Sequence, residues 1–280
     1  RRIMKEIKPL TSLRALAALL VFMYHYAWLF PPLKRGVVFG GEWIPLMPLW
    51  RQGQVGVSIF FVLSGFLITR IYFDKMAAGE SSLRLFFVKR VARIWPLFLL
   101  FALIEHVAAL LNSGLDRNAL VTLSMTQGFF EHLRYNGLPT AWSLTIEESF
   151  YVFAPLLFAL LLKLTDEKGR AKEQLTWGRA VRLVFALGGI AVVMGGLGEL
   201  LVRLSVAGGF DWQGFMGTRH HMLHATLFGR FPEFAIGAMT AFAHRGCNLD
   251  RLLRGRRADV ALLFLFLGIG ACMWGKTLCE

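Results

Sequence analysis

Cysteine is scarce in this sequence and follows no pattern. Its three cysteines are Cys247, Cys272 and Cys279. They show no metal-binding or redox spacing, so no disulfide framework is implied. Acidic side chains are also few: 18, against 31 Lys and Arg, for a net charge of +13. In a soluble chain that imbalance would point to nucleic acid. In a membrane protein it is what cytoplasmic loops collect, so no nucleic-acid partner is expected. Internal repeats, low-complexity tracts and an interdomain linker are absent, and residues 1–280 read as a single domain. The apolar runs do not alternate, which excludes an outer-membrane barrel. The first run, about twenty residues, is too long for a signal-peptide core of roughly 7–15, and no small-residue cleavage site follows it. The run "RHHMLH" (Arg219 to His224) has a spacing that would suit a metal, but no carboxylate or cysteine completes a site, and none is expected.

What the sequence does have is apolar length. Hydrophobic residues make up 56% of the chain. They gather in runs near twenty residues, the length a helix needs to cross a bilayer. Seven segments qualify, at about 10–30, 54–73, 92–111, 142–162, 183–202, 225–243 and 259–276. A weaker stretch, Ala119 to Phe130, reads as a short or re-entrant helix. The fold class is therefore all-α, a polytopic bundle of seven to eight membrane helices. The first residue is not Met and the last apolar segment stops near Glu280, so a chain cut short at its C-terminus is expected.

Orientation follows from the connecting segments. Stretches 1–8, 74–91, 163–182 and 244–257 carry 4, 4, 6 and 5 Lys or Arg, whereas 31–53, 112–141 and 203–224 carry 3, 2 and 2. The alternation predicts a cytoplasmic N-terminus. It sorts the ionisable residues by depth. Arg14, Arg70, Arg90 and Arg93 fall near the inner face, and His25, Glu147, Glu148, Arg230 and Glu233 fall in the outer halves of their helices.

Ionisable groups inside lipid are costly and usually functional. Arg14 and His25 are eleven residues apart, which puts them on one helix face with about 16 Å of rise between them. Arg14 alone would also be explained by snorkelling to headgroups, and His25 by a bond to a neighbouring helix. Ser64-Gly65 in "FFVLSGFLI" lies outside any GxSxG elbow and reads as small-residue helix packing. Arg90 and Arg93, at i and i+3, would suit a phosphate, although the positive-inside rule also places basic residues there. Pro96 is expected in the first turn of their helix. Glu147 and Glu148 point about 100° apart and should do different jobs; a structural ion pair to Arg230 is the plainer account. Arg230 and Glu233, at i and i+3, read as an internal pair. Trp142 would serve as an interfacial anchor. Glu105-His106 is a polar pair without an assigned role.

Taken in order, Arg14-x10-His25, "FFVLSGFLI" (Phe60 to Ile68), Arg90-x2-Arg93 with Pro96, "WSLTIEESFY" (Trp142 to Tyr151) and "RFPEFAIGA" (Arg230 to Ala238) resemble acyltransferase family 3. These are membrane proteins that O-acylate polysaccharides and other envelope molecules, with about ten helices. The resemblance implies an acyl-CoA donor, most often acetyl-CoA, on the cytoplasmic side. It implies a hydroxyl acceptor on an extracytoplasmic glycan or glycolipid, and a place in the bacterial inner membrane. His25 matches the catalytic histidine, and Glu147 or Glu148 the acidic position. Arg14, Arg90 and Arg93 match the basic positions and would hold the coenzyme. Trp142, Ser143, Arg230 and Glu233 are the expected substrate-binding residues. His25 would act as general base on the acceptor hydroxyl, with a glutamate orienting it, or would carry the acyl group itself. A secondary transporter or flippase of an envelope precursor is the alternative, kept open by the Gly-rich "GGIAVVMGGLGELL" (Gly188 to Leu201). A non-catalytic scaffold is a third reading.

Overall fold

The structure is a computed structural model that describes residues 8–31, 37–39, 42–44, 50–80, 82–113, 117–165, 176–210 and 212–246. The expected segment 259–276, the three cysteines and most of the basic stretch 244–257 lie outside the described residues. The chain divides into two compact units, one of Arg1–Leu63 with Ala243–Glu280 and one of Ser64–Phe242.

Helices dominate. α1 spans Lys8–Tyr26 and α2 spans Val55–Ile68. α2 runs on through a π-helical turn, Thr69–Phe73, into a last turn, Asp74–Ala77. α3 spans Leu83–Ser113, α4 Arg117–Leu123, α5 Trp142–Thr165, α6 Trp177–Gly208, α7 Arg219–Ala225 and α8 Leu227–Gly246. One feature departs from an all-helical reading. Val37–Phe39 (β1) pairs antiparallel with Glu42–Ile44 (β2), Val38 opposite Trp43.

Four stretches are long and apolar enough to cross a membrane: Leu10–Leu29, Gln52–Ala77, Trp142–Thr165 and Gly178–Gly208. They match four of the seven expected segments. Two more form helices, α3 and α8. α3 carries Lys89, Arg90, Arg93 and Glu105, and α8 carries Arg230 and Glu233. The weak stretch 119–130 holds the seven-residue α4 and a 3-10 turn at Gln127–Phe129, too short to span. The Gly-rich run 188–201 lies within an unbroken 32-residue helix.

Pro96 is not in a first turn. α3 begins at Leu83, so Pro96 sits in the helix interior. The turns from Leu83 to Lys89, where Arg84 and Lys89 interrupt apolar residues, are helical too, although the expected apolar segment begins only at about 92. An interior proline withholds the N–H that would bond the carbonyl four residues earlier, here that of Ala92.

In the first unit, α1 lies against the start of α2. Ala17, Ile59 and Leu63 form the buried contact, with Leu10, Leu13, Leu20, Val55 and Phe60 around it. Gly53 and Gly56 permit the approach, since a Cβ on either would fall within 2.5 Å of the carbonyl oxygen of Leu20 or Ala17.

The second unit is held by aromatic contacts. Phe150 of α5 stacks on Phe234 of α8 at 4.1 Å, and Phe153 meets Phe231 edge-on at 5.8 Å. Phe73, at the end of the π turn, meets Phe158 of α5 and Phe242 of α8. Tyr72 meets Phe86 of α3 at 4.7 Å. α6 ends where Gly209 takes a left-handed conformation, φ 65°, which glycine reaches without steric cost. The loops that follow α4 and α6 are joined through the Phe130–Phe215 bridge and the bond from the Met216 N–H to the Phe129 carbonyl.

Candidate active site

The centre of the second unit is polar where its helices are otherwise apolar. α5 presents Glu147 and, one turn later, Tyr151. The Ser64 hydroxyl on α2 donates to Glu147 Oε1 at 2.7 Å. The Tyr151 hydroxyl donates to the same oxygen. The four-residue spacing sets Tyr151 beside Glu147 on one face of α5, and Ser64 reaches the pair from another helix.

Arg90 of α3 closes the group. Its guanidinium lies 5.3 Å from the centre of the Tyr151 ring, 5.8 Å from Tyr72 and 6.0 Å from Phe86. These are cation–π distances. The Nε of Arg90 is enclosed without a hydrogen-bond partner among the described residues. Arg93, one turn on, is exposed. The two arginines share a helix but not an environment.

Glu148 faces elsewhere, as the 100° turn between neighbours requires. Trp95 of α3 lies beside it, and its Oε1 is enclosed without a partner among the described residues. The two glutamates thus meet different neighbours.

The structure separates other expected residues from this group. Arg230 does not pair with Glu147: its Nη1 donates to Glu233 Oε1 at 2.7 Å and its Nε to the His224 carbonyl at 3.0 Å. The nearer i, i+3 partner wins because both side chains project from one helix face. Both are nearly enclosed, with side-chain exposures of 9% and 16%. Ser143 turns its hydroxyl to the Thr140 carbonyl at 2.9 Å, a bond local to the start of α5. Trp142 is half-buried at the first position of that helix. His106 is buried, with Gly137 and Thr122 packed close by, while Glu105 is exposed.

In the first unit, Arg14 and His25 are both half-buried on α1. The His25 ring meets Tyr24 edge-on at 5.0 Å, and its backbone carbonyl accepts from Trp28 Nε1 at 2.8 Å. Tyr24 and Tyr26 are exposed.

Arg90, expected near the inner face, and Glu147, expected in the outer half, both touch Tyr151. α3 starts at Leu83, so Arg90 already stands about two turns inside its helix, and the long side chains of Arg90 and Tyr151 cover the rest. Sequence reasoning took Ser64 for a packing residue and did not single out Tyr151, Tyr72 or Trp95. Tyr151 had a legible signal, its four-residue spacing from Glu147. Ser64 had none, because its partner is 83 residues away.

Several apolar helices, with a carboxylate, a guanidinium and two hydroxyls drawn together among them, define an integral membrane protein with a polar centre. Comparison with known proteins supplies the family. A family model described as "Acyltransferase domain" matches residues 8–277, so the chain belongs to acyltransferase family 3. It is similar to an uncharacterised Haemophilus influenzae protein, 28% identical over 75% of this chain and 84% of that one. It is similar to a Staphylococcus aureus protein named "Putative O-acetyltransferase", 27% identical over 64% of this chain. It also resembles a Listeria monocytogenes protein named "Peptidoglycan O-acetyltransferase OatA", 29% identical over 57% of this chain. The chain spans only 29% and 25% of the lengths of the latter two. No solved structure matches it.

Proposed function

We propose that the chain is a membrane O-acyltransferase that moves an acyl group, acetyl in the commonest case, from cytoplasmic acyl-CoA to a hydroxyl of an extracytoplasmic glycan or glycolipid. Family membership supports the reaction class. One relative carries the name of a peptidoglycan O-acetyltransferase, which supports a glycan hydroxyl as acceptor. The observation that carries the reading is Glu147, a carboxylate inside an apolar helix, braced by two hydroxyls. Such a group is costly in a membrane, and a packing role would not need it.

His25 is the general base that takes the proton of the acceptor hydroxyl as that oxygen attacks the acyl carbonyl. Glu147 is the working carboxylate; Glu148 is held apart beside Trp95. Arg14, Arg90 and Arg93 hold the coenzyme's phosphates, which guanidinium groups suit. Trp142, Ser143, Arg230 and Glu233 line or support the acceptor's path. The chain crosses the bacterial inner membrane seven or eight times, with α3 and α8 among the crossings and its N-terminus in the cytoplasm.

The test is acyl transfer by purified protein in proteoliposomes, with acyl-CoA and glycan supplied and the product read by mass spectrometry. Acylated glycan is expected, and none from His25→Ala at normal yield and insertion. A protein that moves a glycan precursor across the vesicle without modifying it would overturn the reading. Glycans from cells with and without the gene would name the acyl group and acceptor together.

A further inference from the structure

The acyl-CoA reading leaves Ser64 without a task, and its geometry is that of an activated nucleophile. Its hydroxyl stands 2.7 Å from Glu147 Oε1, within the reach of 2.6–3.2 Å at which a base activates a serine. The base is held in turn by a third group, since Tyr151 donates to the same carboxylate oxygen. Arg90 then stacks on the Tyr151 ring. Nucleophile, base and orienting group in series is the arrangement of a serine acyltransfer triad, recognised by geometry and not by sequence order. Of the two hydroxyls on Glu147, Ser64 is the more open, at 9% exposure against 2% for Tyr151. Tyr151 is also pinned under the guanidinium.

We propose that Ser64 carries the acyl group as a covalent ester between donor and acceptor, with Glu147 as its base and Tyr151 as a positioning residue. The proposal rests on the acyl-CoA reading above. Glu147 takes the hydroxyl proton as Ser64 Oγ attacks the thioester carbonyl carbon. The C–S bond breaks, the coenzyme thiolate takes the proton from Glu147, and Ser64 is left acylated. In the second half the acceptor hydroxyl attacks the ester carbonyl. The bond to Oγ breaks, and the proton given up by the acceptor ends on Ser64. Nothing is oxidised or reduced, and each half exchanges one acyl–heteroatom bond for another.

The experiment uses the purified chain with radiolabelled acetyl-CoA and no acceptor. Free coenzyme release is followed, and the acid-quenched protein is mapped by peptide mass spectrometry. Acetyl on the peptide containing Ser64 is expected. Ser64→Ala should lose acyl transfer by on the order of 10³-fold or more, as nucleophile removal does. Loss of a mere brace on Glu147 would cost only about ten- to a hundredfold. Ser64→Cys should trap the group as a thioester, cleaved by neutral hydroxylamine where the native ester resists. The proposal is overturned if acetyl maps to Tyr151 or His25, or if Ser64→Ala keeps transfer within a hundredfold of wild type. Absence of coenzyme release by the wild type would instead remove the donor reading, and this proposal with it. The wild-type peptide map does not depend on any variant folding.

Discussion

Replacing Gly65 by alanine would test the packing that holds Ser64 in place. A Cβ built on Gly65 would stand 2.1 Å from the Phe234 carbonyl oxygen, 2.8 Å from its carbon and 2.9 Å from its Cα. All three atoms are backbone, so no side chain can swing away. Cβ contacts essentially never fall below 3.0 Å, so α2 and α8 would have to part by about 1 Å. Forcing a methyl into a packed interior costs about 1–3 kcal/mol. Against that, alanine gains about 0.5–1 kcal/mol over glycine inside a helix. Gly189 and Gly196 of α6 supply the control, because nothing lies within 4 Å of a Cβ at either. Gly189→Ala and Gly196→Ala should therefore show the propensity gain alone. Gly65→Ala should fall below wild type and below both controls. The gap between Gly65→Ala and the controls is the clash itself, about 1–3 kcal/mol. In one detergent at one scan rate, thermal unfolding should read it as a lowered midpoint. α8 also carries Phe234, on which Phe150 stacks, so the displacement should reach the neighbour of Tyr151 and lower acyl transfer. A Gly65→Ala protein as stable as Gly189→Ala would refute the close approach of α2 and α8.

Other perturbations separate the remaining groups. Glu147→Gln keeps shape but weakens the acceptor of two hydroxyl bonds; it should depress acyl transfer far more than Glu148→Gln, and equal losses would show that the glutamates are not distinguished. Arg230→Ala removes the Nη1 bond to Glu233 in a site where both side chains are nearly enclosed. That should destabilise by about 3–5 kcal/mol, read as lost thermal stability and yield, and a neutral result would mean that water reaches the pair. His221 is fully buried. Burial lowers its pKa, and Arg134 adds to the effect while Glu131 and the Phe129 and Gly128 carbonyls oppose it. The folded state then binds a proton less readily than the unfolded chain. Its contribution to stability is complete above the ordinary imidazole value of about 6.5 and is lost as pH falls through that value toward the folded one. His221→Gln should flatten that part of the stability–pH curve; an unchanged slope would place the acid sensitivity elsewhere.

What could be read from the sequence was whatever repeats along one helix. The apolar runs gave the helices, and the i, i+3 spacing gave the Arg230–Glu233 pair. Neighbours on a helix diverge by about 100°, which gave the split between Glu147 and Glu148. Helix starts were less legible. An uncharged apolar run marks the spanning part of a helix and not its start. The turns from Leu83 to Arg93, broken by Arg84, Lys89, Arg90 and Arg93, precede that run and leave Pro96 in the interior of α3.

Contacts between helices were not legible, and they are what makes the candidate site. Ser64 in "VLSGF" carries no signal of its own, and small residues in a membrane helix usually mean close packing. Its neighbour does pack closely, Gly65 against the Phe234 backbone. That same approach fixes the rotation of α2 about its axis in the second unit. With Gly65 turned to α8, Ser64 is carried about 100° round the helix, to where it meets Glu147 of α5. A packing reading of Ser64-Gly65 and a chemical reading of Ser64 are thus two consequences of one helix orientation. The glycine makes the contact, and the contact aims the serine.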